Sequence, residues 1–133
     1  MEPRILIVDD EVNILRSMEK TLSRAGYEVE TALGNQEAYD LFCQARATSQ
    51  PFDLIILDLN MPDFAGKESK YAGLELLTRL KAISPALPVI ANSAWDEVET
   101  AKRCLEAGAA DYFVKGRNEE MLAKIDQILS GYG

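Results

Sequence analysis

Two short, unbroken apolar runs, Ile5-Leu6-Ile7-Val8 and Leu54-Ile55-Ile56-Leu57, stand out along the chain. Runs of this length without polar alternation suit strands covered by helices on both faces. Pro88-Val89-Ile90-Ala91 and Tyr112-Phe113-Val114 are weaker versions of the same pattern. Tyr27, Val29 and Thr31 alternate instead with Glu28 and Glu30. That period of two predicts a half-exposed second strand at a sheet edge.

The segments between these strands carry a helical period. Val12, Leu15, Met18, Leu22 and Ala25 recur at helical spacing, and so do Ala38, Leu41, Phe42 and Ala45. Three further helices are predicted from Leu74, Leu77 and Leu80, from Val98, Ala101 and Leu105, and from Leu122, Ile125 and Leu129. Asp96 and Glu99 have capping-box spacing, and Gly26 and Gly108 suit helix ends. Five strands alternating with five helices imply right-handed crossovers and an open, mostly parallel sheet with helices on both faces. No repeat, low-complexity stretch or linker breaks the pattern.

Composition narrows this picture. At 133 residues and 47% hydrophobic, the chain has the size and apolar content of one domain, with a core that needs no disulfide or structural metal. The two cysteines, Cys43 and Cys104, lie within helical patterns, far from any metal-binding or redox spacing, and read as reduced packing residues. A formal charge of −8 argues against direct nucleic-acid binding, and the absence of histidine excludes imidazole chemistry and most zinc sites. No apolar run approaches bilayer-spanning length, and the start, MEPRILIVDD, lacks a signal peptide's cleavage site. A cytoplasmic location without membrane contact is expected.

Open α/β sheets bind ligands outside the carboxyl ends of their strands, near the point where strand order reverses. Here the first strand ends in Asp9-Asp10-Glu11, the third in Asp58, the fourth leads to Ser93 and the fifth ends at Lys115. These residues should converge on one rim. Carboxylates at neighbouring strand ends offer hard oxygen ligands with room for water, which suits octahedral Mg²⁺. A carboxylate can also attack phosphorus to give an acyl phosphate, with cations and a hydroxyl neutralising the phosphoryl oxygens. Singly, such acids are most often solvated loop residues or helix caps, Ser93 a turn serine and Lys115 a surface lysine. It is their combination and order that point to a site.

Through Asp9-Asp10-Glu11, Asp58-Leu59-Asn60-Met61-Pro62, Ser93-Ala94 and Asp111-Tyr112-Phe113-Val114-Lys115, the sequence resembles the receiver domain of two-component response regulators over essentially its whole length. The resemblance implies a flavodoxin-like (βα)5 three-layer sandwich with a five-stranded parallel sheet in the order 2-1-3-4-5. That order comes by analogy with the family and not from the periodicity, although it fits an exposed second strand. The resemblance also implies that Asp58 is the phosphoacceptor, and that Mg²⁺ is held by Asp10 directly, by Asp9 mainly through water, by Asp58 and by the backbone carbonyl of Asn60. Ser93 matches the hydroxyl that binds a phosphoryl oxygen, and Lys115 matches the lysine that pairs with Asp58 before transfer and with the phosphoryl group after it. Tyr112 matches the aromatic switch whose ring turns inward as the Ser93 hydroxyl moves toward the phosphate. Its plain alternative is an amphipathic edge-strand residue. Asn60 and Trp95 occupy the two positions that look out at the phosphoryl group and its attacking water. A bulky Trp95 would slow hydrolysis; its plain alternative is a hydrophobic partner contact.

Two departures stand against that pattern. Family members commonly follow Met-Pro with three residues and a glycine that opens the third helix, yet Asp63 to Ala72 precede Gly73 here. The connection is about seven residues longer than the family's, against usual connections of roughly two to six. Gly66 matches the helix-opening glycine as well as Gly73 does, so the alignment stays open within this stretch. The extra residues Lys67, Glu68, Lys70 and Tyr71 suggest a loop that tunes partner choice or phosphoryl lifetime, or simply a solvated loop. Lys115 is followed by Gly116, where the family commonly has a cis proline, which loosens the expected placement of the lysine.

The implied function is a signalling switch, not an enzyme beyond its own aspartyl phosphorylation and dephosphorylation. A histidine kinase or histidine phosphotransfer protein would donate the phosphoryl group. A downstream protein would read the fourth helix, fifth strand and fifth helix, and phosphorylation-dependent dimerisation is left open. Because the chain ends just after the fifth helix, a single receiver domain over 1–133 without an output domain is expected. The alternative is a pseudo-receiver, an interaction module that is never phosphorylated. A haloacid-dehalogenase-type phosphatase would need Asp-x-Asp after its first strand, and a flavodoxin-like cofactor binder would place a phosphate against three acids; neither fits.

Overall fold

The computed structural model describes residues 2–60, 72–94 and 98–130. In chain order the elements are β1 (Arg4–Val8), α1 (Val12–Arg24), β2 (Glu28–Ala32), α2 (Asn35–Arg46), β3 (Leu54–Asp58), α3 (Ala72–Ile83), β4 (Val89–Ser93), α4 (Val98–Glu106), β5 (Asp111–Val114) and α5 (Asn118–Ser130). All strand pairs are parallel, in the order β2-β1-β3-β4-β5. The expected fold and strand order are therefore those observed.

Alternation along the buried strands divides the core in two. Leu6, Val8, Ile55, Leu57, Val89 and Ala91 point to one face of the sheet, into a core shared with α2, α3 and α4. Ile5, Ile7, Leu54, Ile56, Ile90 and Phe113 point to the other, against α1 and α5. Because both faces are covered, β3 and β4 are buried at every residue, as their unbroken apolar runs require. β2, at the edge, buries only Ala32 fully, and its glutamates face solvent. Gly26 and Gly108 adopt φ of +96° and +108° just beyond α1 and α4, a left-handed backbone that glycine accepts without a Cβ clash.

Helix faces depart from the sequence reading. α1 buries Leu15, Met18 and Leu22 as expected, but Val12 and Ala25 at its ends are exposed. α3 turns Leu76, Leu77 and Leu80 inward and leaves Leu74 half-buried. α5 anchors on Met121 and Ile125, with Leu122 and Leu129 half-buried. The largest difference is in α4, whose predicted stripe faces outward. Val98 is 87% and Leu105 51% exposed, whereas Thr100 and Cys104 are buried. In this nine-residue helix two short side chains one turn apart pack inward near β5, and the bulkier apolar pair is left outside. Asp96, the other half of the expected capping box, lies outside the described residues. Both cysteines are free, Cys104 buried and Cys43 half-buried. Burial raises the Cys104 thiol pKa to about 11, consistent with an unreactive packing role. No helix among the described residues is long and apolar enough to cross a membrane.

Candidate functional site

Because every strand runs the same way, their carboxyl ends share one rim, and the residues singled out there do meet. Asp9, Asp10 and Glu11 follow β1, Asp58 ends β3, Ser93 ends β4 and Lys115 follows β5. β1 and β3 are neighbours, which sets Asp9 beside Asp58. Both are fully buried, whereas Asp10 and Glu11 are exposed at the mouth. Two local turns aim the buried pair. The Glu11 N–H donates to Asp9 Oδ1 at 2.8 Å, and the Asn60 N–H donates to Asp58 Oδ1 at 2.9 Å.

Lys115 starts two strands away from Asp58, and its side chain crosses the end of β4 to reach it. Its Nζ lies 2.9 Å from Asp58 Oδ2, 2.8 Å from Glu11 Oε1 and 3.4 Å from Asp9 Oδ2. The following Gly116 takes φ +89°, and no cis peptide bond occurs among the described residues. Even without the family's proline, the lysine reaches the acid it was expected to pair with.

Burial penalises the charged forms of both buried acids. Asp9 is pushed up to about 6 by burial first and by the neighbouring Asp58 charge second. Asp58 is likewise raised by burial, against the opposing hydrogen bonds from Lys115 and Asn60. At Lys115, burial alone would lower the pKa, but hydrogen bonds to Glu11 and Asp58 and the fields of Asp58 and Asp9 outweigh it and raise it. The lysine is therefore held fully charged.

The residues present fit a hard divalent cation. Asp9, Asp10, Glu11 and Asp58 each offer a carboxylate oxygen within 4.8 Å of the others. Asp9 Oδ2 is buried and accepts no hydrogen bond. Four carboxylates against one ammonium leave an excess of negative charge that a cation would neutralise.

Several partners were not legible in the sequence. Glu11 appeared only as part of an acidic run, yet it makes the shortest of the contacts to Lys115. Asn60, expected to act through its backbone carbonyl and to face the phosphoryl group, also accepts at Oδ1 from the Ser93 hydroxyl at 2.7 Å and the Ala94 N–H at 3.2 Å. Gly66 lies outside the described residues, while Gly73 has the tight packing that a glycine at the start of α3 requires. A Cβ there would lie 2.4 Å from the Asp58 carbonyl oxygen and 2.8 Å from Leu59 Cα, so only glycine lets the helix start against the end of β3. Tyr112 is half-buried on the α4 side of β5, packed against the core that contains Ala91 and Cys104. Trp95, and residues 63–71 of the long connection with Gly66, Lys67, Glu68, Lys70 and Tyr71, lie outside the described residues.

Comparison with known proteins agrees with this fold. The family model for the response regulator receiver domain matches residues 5–126. The transcriptional regulatory protein PrrA of Mycobacterium leprae is 36% identical over 132 residues, covering 98% of this chain and 52% of its own length. The response regulator MprA of Mycolicibacterium vanbaalenii is 36% identical over 130 residues, covering 97% and 51%. The chain thus spans about half the length of these curated relatives. Among solved structures, a CheY-like receiver domain protein from Methanospirillum hungatei superimposes with a TM-score of 0.79 at 32% identity, over 98% of this chain and 96% of that one. Chemotaxis response regulator CheY4 of Vibrio cholerae does so with a TM-score of 0.74 at 31% identity, over 96% and 98%. With its strand order, its acidic rim and its crossing lysine, the chain belongs to the response regulator receiver domain family.

Proposed function

We propose that this receiver domain is a phosphoacceptor switch in which Asp58 takes a phosphoryl group from a histidine kinase or histidine phosphotransfer protein. The observation that carries the reading is the Lys115 ammonium 2.9 Å from a fully buried Asp58 whose other oxygen accepts from the Asn60 N–H. An Asp58 carboxylate oxygen attacks phosphorus, an O–P bond forms, and the bond from phosphorus to the donor's leaving atom breaks. Hydrolysis later returns the carboxylate and inorganic phosphate. Lys115 favours the anionic nucleophile against the cost of burial, then pairs with a phosphoryl oxygen. Ser93 exchanges its bond to Asn60 for one to another phosphoryl oxygen, and Tyr112 turns toward the space the hydroxyl leaves.

Asp9, Asp10, Asp58 and the Asn60 backbone carbonyl would hold Mg²⁺, which supplies charge neutralisation for the phosphoryl oxygens. Two conformations of similar energy are needed, and the new charge-assisted hydrogen bonds favour one of them. The readout surface is α4, β5 and α5, where Val98 and Leu105 already stand exposed to meet a protein partner. Direct nucleic-acid contact is disfavoured by the charge of −8. From its sequence position alone, Trp95 is assigned to restricting water, so replacing it with alanine should shorten the phosphorylated state's lifetime. An unchanged decay rate rejects that role.

The test is intact mass after incubation with a small acyl-phosphate donor. A Mg²⁺-dependent phosphoryl adduct is expected on the wild type and not on Asp58→Asn. If neither a small donor nor a panel of histidine kinases labels the wild type, the pseudo-receiver reading replaces this one.

A further inference from the structure

Among the described residues α4 carries an anomaly. Thr100 is fully buried, and its hydroxyl has no hydrogen-bond partner. A threonine inside a helix ordinarily satisfies its hydroxyl on the carbonyl four residues back. Thr21 does so on Ser17 at 3.0 Å and Thr78 on Leu74 at 2.8 Å. Thr100 is the third residue of α4 as described, and Asp96, four residues back, lies outside the described residues. Its hydroxyl is turned inward, while apolar Val98 and Leu105 of the same helix face water. A buried, unpaired hydroxyl is costly, and a valine of the same shape would avoid that cost.

The surroundings indicate what the hydroxyl can meet. Thr100 and Cys104 share one row of α4, one turn apart, and Cys104 belongs to the core against which Tyr112 packs. α4 packs on β5 and runs opposite to it, so Thr100 lies one turn nearer than Cys104 to the rim that holds Ser93. A tyrosine ring moving from its half-buried place on β5 toward Ser93 therefore moves along the α4 face that Thr100 occupies. We infer that Thr100 is a positioning residue of the switch, whose hydroxyl stays unpaired in the resting state and pairs with the Tyr112 phenol when the ring turns inward. The inference rests on the proposed role of Tyr112 and adds to it a second anchor, inside α4, that ties the position of this helix to the phosphorylated state.

The experiment is a double-mutant cycle on Thr100→Val and Tyr112→Phe in the full chain, with Mg²⁺ and beryllofluoride as the phosphoryl mimic. Each single variant should bind the mimic about fivefold more weakly, the worth of one net hydrogen bond, and the double variant no more weakly than either. Thr100→Ser, which keeps the hydroxyl, should restore most of the affinity. Without the mimic, Thr100→Val should unfold at the same or higher denaturant concentration than the wild type. Losses that multiply in the double variant, or a Thr100→Val variant that binds as the wild type does, would overturn the inference. So would equal destabilisation with and without the mimic. Intact mass separates the two readings. An Asp58 adduct on Thr100→Val without coupling to Tyr112 sinks only the role of Thr100, whereas a wild type that takes neither phosphoryl group nor mimic sinks the phosphoacceptor reading as well.

Discussion

At Asp9, burial and the charge of Asp58 act in the same direction, raising the carboxyl from its ordinary 3.8 to about 6. Between those two pH values the folded chain binds a proton that the unfolded chain has already lost, so this group makes stability fall as pH rises. The penalty is complete above about pH 6, and at about 1.36 kcal/mol per pKa unit it reaches roughly 3 kcal/mol. In chelator, Asp9→Asn should therefore be more stable than the wild type at pH 7 by an amount approaching that figure, and the difference should vanish below pH 4. Denaturant titrations at several pH values measure it; a difference that does not change with pH would mean that Asp9 is not strained by its charge. The sequence disclosed which acids and which lysine share the rim, because their order along the chain follows the strand ends. It did not disclose that Glu11 holds Lys115 or that Asn60 holds the Ser93 hydroxyl, since such pairings depend on rotamers and on the distance across an intervening strand.

Strands were more legible than helix faces. An unbroken apolar run admits one interpretation, burial on both sides, and β1, β3 and β4 conform to it. A short helix is less determined, because several rows of mixed residues satisfy the same period. In α4 the row Val98, Ala101 and Leu105 fits the helical period, yet Thr100 and Cys104 are the residues packed inward. The start of α3 was ambiguous for a different reason, since Gly66 and Gly73 each stand where a helix-opening glycine is expected; of the two, Gly73 is the described one, and its backbone approaches Asp58 closely. That approach makes Gly73→Ala a sharp test. A methyl group 2.4 Å from the Asp58 carbonyl oxygen must push α3 or the end of β3 aside, and overpacking of this kind costs about 1–3 kcal/mol or more. Because the displaced backbone carries the proposed phosphoacceptor, labelling of Asp58 should slow along with the loss of stability. Stability lost without any change in labelling would show that α3 alone gives way.

Across the whole molecule the sheet separates two tasks. Asp9, Asp58 and Lys115 continue the alternation that points Ile7, Ile56 and Phe113 toward α1 and α5, whereas Ser93 and Tyr112 follow Ala91 toward α3 and α4. Charge thus accumulates on one side of the rim and the residues proposed to switch, Ser93 and Tyr112, lie on the other, joined over the top by the bond between Asn60 and Ser93. The acidic side concentrates part of the chain's net charge of −8 at one place, so the metal-free protein is destabilised both by local crowding of carboxylates and by general repulsion. These two effects respond differently to cations. Sodium chloride screens the general repulsion, but a divalent ion seated among Asp9, Asp10 and Asp58 stabilises by RT ln(1 + [L]/Kd), about 2.7 kcal/mol at a hundredfold excess over Kd. Mg²⁺ should therefore raise the unfolding midpoint more than sodium chloride of equal ionic strength. Its advantage should shrink from pH 7 to pH 5, where protonation of Asp9 competes with the ion. Asp58→Asn should reduce the Mg²⁺ increment while leaving the sodium chloride increment in place. Equal gains from both salts at both pH values would assign the whole effect to screening and remove the carboxylate cluster as a metal site.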